Sequence, residues 1–129
     1  MPTYFPIESP IAFQCVHSDM RSLLWKDLGI VAEFDVLQSQ CILRVLFERV
    51  HVIRILDEVL ISTESEPENE GLIPNHFAYC VQDSLFWNSQ SEVLRAANPD
   101  AKHYRFITGG TCLDVIADRA PSLAVEDLI

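Results

Sequence analysis

Two cysteine–histidine pairs stand close in the chain, Cys15-Val16-His17 and His76-x3-Cys80. On a strand, residues 15 and 17 share a face, and so do 76 and 80, so each pair can offer a thiolate and an imidazole to one ion. Structural zinc sites are built from CxxC or HxxxH pairs, and this chain has neither. The expectation is no metal and no cofactor, with the four cysteines (Cys15, Cys41, Cys80 and Cys112) acting as small core hydrophobes.

Covalent catalysis needs a nucleophile, a base and an orienting group brought together by the fold. Cys112, His103 and Asp114 fall on one side of an alternating segment and invite that reading. Pairing across Gly109-Gly110 sets His103 opposite Ile116, about 13 Å from Cys112 at 3.3 Å per residue. That separation favours a solvent-facing charged ladder over a catalytic set. Asp57 and Glu58 are adjacent, and neighbouring strand residues point to opposite faces, so they are a poor acid–base pair. Gly109-Gly110 is followed by no Lys-Ser/Thr, and neither GxGxxG nor GxxxxGK[ST] occurs. No catalytic residue is assigned, and the chain reads as non-enzymatic.

Aromatic residues are the stronger candidates. Trp and Tyr anchor interfaces because they cover large areas at low entropic cost. The candidate partner- or ligand-binding residues are Trp87, Phe86, Tyr79, His76 and His103. Trp25 and Tyr79 are expected chiefly in the core, and Trp87 is balanced between core and surface.

The elements that would hold these residues follow from pattern. Residues 1–10 contain three prolines and read as an extended lead-in. Ile11 to His17 alternates as a short strand. Ser18-Asp19 can cap a helix, Met20 to Leu28, whose apolar residues (Met20, Leu23, Leu24, Leu28) have helical spacing and which Gly29 would end. Ile30 to Val36 alternates as a strand, and Gln38-Ser39-Gln40 marks a turn. Cys41 to Ile61 is rich in β-branched residues and reads as strand, with a bend or turn near Glu48–Val50 because one strand of that length would be unusual. His76 to Val81 reads as a strand that Ser84 to Trp87 continues or turns. Ser89 or Ser91 caps a helix from Ser91 to Ala97, closed by Asn98-Pro99.

HYRFIT-GG-TCLDVIAD is the clearest local signal. With Gly109-Gly110 as a two-residue turn supplying positive φ, Ile107 faces Cys112, Phe106 faces Leu113, Arg105 faces Asp114 and Tyr104 faces Val115. A last short strand falls near Leu123–Val125. The expected fold class is α+β: one curved, mainly antiparallel sheet of about five to seven strands, two short helices and a C-terminal β-hairpin. Residues 1–129 are expected to form a single domain with an acidic loop at about 63–73.

The chain has 129 residues, 49% hydrophobic, with 9 Lys+Arg against 19 Asp+Glu and a net charge of -10. It is too apolar for a disordered protein. Its acidity speaks against nucleic acid and anionic membrane as partners, since both are bound through Lys and Arg. MPTYFPIESP lacks the basic and apolar regions of a secretory signal, so the expected location is cytoplasmic, with reduced thiols. The leading expectation is a small acidic cytoplasmic protein acting as a protein-interaction or regulatory module, with a basic protein or a second copy as partner. The alternatives are a small-molecule-binding sheet domain and, behind it, an enzyme using His, Asp or Cys groups.

Overall fold

A computed structural model describes residues 2–37, 39–57 and 69–127. Two antiparallel sheets meet face to face, in place of the single curved sheet expected from the pattern. The first has the order β1-β6-β7-β8-β5, formed by Thr3–Pro6, Ala78–Gln82, Lys102–Ile107, Thr111–Ala117 and Val50–Asp57. The second has the order β2-β3-β4-β9, formed by Ser18–Lys26, Gly29–Val36, Cys41–Phe47 and Ser122–Asp127. Helices α1 (Leu85–Asn88) and α2 (Glu92–Ala97) complete the elements, with a short 3-10 turn at Cys15–His17.

The second sheet exists because residues 18–26 form a strand, not the helix their spacing predicts. The helical look comes from a bulge: the register against β3 shifts between Met20 and Ser22. Met20 pairs with buried Phe34 and Leu23 with buried Ala32, so the inward positions are three apart there instead of two. Ile11 to His17 is not a strand either. Ile11 and Phe13 still pack on the core, with the Phe13 ring 5.2 Å from Phe77, because one-sided burial alone produces the alternation.

The 41–61 segment divides where expected, into β4 and β5 around Glu48 and Arg49, and Arg49 takes a φ of 55° to make the corner. Residues 58–61 and most of the acidic loop lie outside the described residues. Glu70, at the loop's far end, bridges to Thr3 of β1. The β7–β8 register is the expected one from Ile107–Cys112 back to His103–Ile116.

Neither glycine of that turn uses the positive φ expected of it. Gly109 is needed for space. A Cβ on Gly109 would stand 2.5 Å from the Val16 carbonyl oxygen, and the Gly109 amide donates to the Ser18 carbonyl at 2.8 Å. The hairpin tip is thereby tied to the start of β2. Between the sheets, Phe34 and Phe47 meet Phe77, Tyr104 and Phe106 at centroid distances of 5.0 to 6.1 Å. Burying such rings is the main stabilising term of the core.

Candidate functional site

On its outer face the five-stranded sheet carries a buried ionic network. The ladder places Arg105 of β7 and Arg54 of β5 on either side of Asp114 of β8. Asp114 is fully buried. Its Oδ2 accepts from Arg54 Nε at 3.1 Å and Nη2 at 2.9 Å, and its Oδ1 accepts from Arg105 Nε at 2.8 Å. Arg105 Nη1 also donates to the Tyr4 hydroxyl at 2.6 Å. His103, diagonal to Asp114 and equally buried, places Nε2 2.6 Å from Oδ1 and Nδ1 2.7 Å from Ser84 Oγ.

The proton positions follow from the partners. A carboxylate only accepts, so His103 carries its proton on Nε2, and its Nδ1 accepts a hydrogen bond from the Ser84 hydroxyl. Ser84 Oγ in turn accepts the Trp87 amide at 3.0 Å, which makes it the N-cap of α1. Burial lowers the His103 pKa, and the Asp114 contact that opposes this is already shared between two guanidiniums; the imidazole stays neutral. Burial alone would raise the Asp114 pKa, yet the His103 hydrogen bond and the Arg105 charge hold it well below the usual carboxylate range.

The order Ser84–His103–Asp114 is that of a serine hydrolase relay, but the groups are closed to such chemistry. Ser84 is buried, and its oxygen already holds a backbone amide. The Asp114 charge, which a relay would use to stabilise imidazolium, is engaged by two arginines. The expected solvent-facing ladder is thus corrected: its Arg105–Asp114 pair exists, but α1 roofs it. Phe86 lies over Arg54 with the guanidinium carbon 4.2 Å from the ring centre, and its ring is 5.0 Å from that of His103.

A surface pocket of about 440 Å³ opens beside the network, with Phe5, Cys80, Gln82, Trp87, Lys102 and His103 in its wall. The candidate residues therefore separate into two groups. Trp87, Phe86 and His103 come together, with half-buried Trp87 facing the pocket and Phe86 buried behind it. Tyr79 and His76 lie towards the start of β6. The buried Tyr79 hydroxyl donates to the Ile73 carbonyl and accepts its amide, and His76 Nε2 donates to the Ile7 carbonyl at 3.0 Å. Among the described residues, no three His, Cys, Asp or Glu side chains converge as a metal site. No described helix is long and apolar enough to cross a membrane.

The four-stranded sheet presents a different surface. Leu24, Val31 and Leu46 form one cross-strand row on its outer face. Leu24 is 62% exposed, Leu46 43% and Leu28, in the β2–β3 turn, 70%. Trp25, expected in the core, is 50% exposed because it sits on an edge strand beside the turn. A groove of about 460 Å³ runs over this end, with Lys26, Glu48 and Arg119 at its margins. Sequence reasoning missed this patch because Leu24 and Leu28 had been assigned to a helix's buried stripe. It missed Ser84 and Arg54 because their partners lie far along the chain. No family model, curated protein or solved structure matches this chain.

Proposed function

We propose that the protein is a non-enzymatic protein-interaction module that binds through the open end of its four-stranded sheet. One observation carries this reading: Leu24, Leu28 and Leu46 are exposed at one end of the sheet's outer face and turn, and Trp25 is half-exposed on the same edge strand, β2. Exposed apolar side chains at an open strand edge suit an interaction site, because leaving them in water forgoes about 25 cal/mol per Å².

Affinity capture with the wild type and with L24K/L46K tests the reading, with retained proteins and small molecules both identified. A stoichiometric protein that the variant loses is the expected result. A stoichiometric metabolite with no protein would overturn it. That outcome would favour a second reading, a small-molecule site in the 440 Å³ pocket. The pocket's size and its Phe5 and Trp87 lining fall within the usual range for ligand sites, roughly 300–1,000 Å³.

A further inference from the structure

We infer that the partner of the open sheet end is a second copy of this chain, joined by antiparallel pairing of two β2 edges about a two-fold axis at Leu24. The assignment rests on the interaction reading above and names its partner. Among the described residues, nothing pairs with the outer edge of β2 from Arg21 to Lys26. The two-residue turn Asp27-Leu28 closes β2 against β3 at the Lys26–Gly29 pair. By the alternation of an antiparallel ladder, residues 22, 24 and 26 then direct their amides to β3, and Leu23 and Trp25 direct theirs outward. Two free donors and two free acceptors, two residues apart, are the pattern a second strand of the same kind completes.

The side chains agree with this register. Leu24 meets Leu24 on the outer face. Leu23 meets Trp25 twice on the inner face, so the half-exposed indole gains an apolar neighbour. Lys26 stands opposite Ser22, whose hydroxyl donates to the Glu33 carboxylate at 2.9 Å; that carboxylate is already paired with Arg44 at 3.0 Å, so Lys26 meets no like charge directly opposite it but gains no free anion. Residues 22–26 lie beyond the bulge, so the alternation of faces is unbroken across the pairing. The other edge of this sheet is β9, which ends in two acids, Glu126 and Asp127. The edge at β1 is bridged by Glu70.

Sedimentation velocity from micromolar to near-millimolar concentration, combined with engineered cysteines in a C80S background, tests the pairing. The wild type is expected to pass from monomer to dimer as concentration rises. L24K should weaken association by roughly tenfold or more, because it sets two lysines directly opposite and removes the leucine contact. Leu24 is exposed, so L24K should fold, and an unchanged melting curve checks this. On oxidation, L24C should form a disulfide dimer, since residues on the axis face their own copies at bridging distance. S22C or K26C alone should not, and S22C/K26C together should. A wild type monomeric throughout, a dimer indifferent to L24K, or S22C cross-linking as readily as L24C would each overturn the pairing. If instead the chain stays monomeric and L24K/L46K loses a different captured protein, the second-copy assignment falls and the interaction reading stands.

Discussion

Asp114→Asn isolates the energetics of the buried network. The substitution keeps the shape of the side chain and removes its charge. In the wild type each carboxylate oxygen is filled: one by His103 and Arg105, the other by Arg54 through two nitrogens. An amide has a single acceptor oxygen, so in either orientation its NH2 faces donors, and two guanidiniums lose their anion in a site that admits little water. Removing one partner of a buried ion pair costs about 3–5 kcal/mol, against a total domain stability of about 5–15 kcal/mol. We expect D114N to lose about 3 kcal/mol or more in urea denaturation, with Tm falling by about 10–15 °C. The penalty should shrink in an R105M background, where one orphaned cation is already gone. The same carboxylate sets an acid limit. Its folded pKa lies below the ordinary 3.8, so its contribution is complete above that value and is lost as pH falls towards the folded one. A D114N loss under about 1 kcal/mol at unchanged m-value would refute the claim that the network is closed and charge-balanced around Asp114.

Three other outcomes follow from the same geometry. His103 has a folded pKa below 6.5, so the unfolded chain protonates first and stability should begin to fall as pH drops through 6.5; in H103Q that part of the slope should vanish from the pH–stability curve. S84A should cost about 1 kcal/mol for the lost α1 cap and about 1 more for the bare His103 Nδ1, while a fluorophosphonate probe should leave Ser84 of the folded protein unlabelled; labelling there would contradict the closed relay. G109A should lower Tm, because its Cβ would overlap the Val16 carbonyl; a neutral result in a thermal scan would show that the hairpin tip is not fixed to β2.

What the sequence made legible was whatever depends on neighbours in the chain. The β7–β8 register could be read because turn, alternation and charge agreed over fourteen consecutive residues, His103 to Ile116. The division of 41–57 into two strands could be read from β-branching and length. Ser91 capping α2 was a local signal of the same kind, and its oxygen accepts the Leu94 amide at 3.1 Å. β2 was misread because one bulge residue breaks a period of two into a spacing of three, which an amphipathic helix also shows. The fate of Asp114 was hidden for a different reason. Whether the outer face of a sheet meets water depends on what covers it, and the cover is Phe86, on a helix of only Leu85–Asn88 that reads locally as the end of a strand. A polar pattern on a strand reports the face and leaves its burial open.

The two outer faces of the sandwich differ in how their polar groups are matched, and that difference supports the proposed binding at the four-stranded sheet. On the five-stranded sheet, the polar groups of His103 and Asp114 are matched beneath α1, and displacing that cover would break buried ion pairs that water repays poorly, although the pocket beside it is already open. On the four-stranded sheet, apolar side chains already face water, so contact there breaks no buried ion pair and its hydrophobic gain is set only against the entropy of association. Charge supplies the check. Two copies each carrying -10 repel at long range, and the screening length falls from about 30 Å at 0.01 M salt to about 10 Å at 0.1 M. Association driven by Leu24 and Trp25 should therefore strengthen as salt rises across that range in sedimentation equilibrium. A dimer that weakens instead would be held by ion pairs, and the apolar edge would not be its seat.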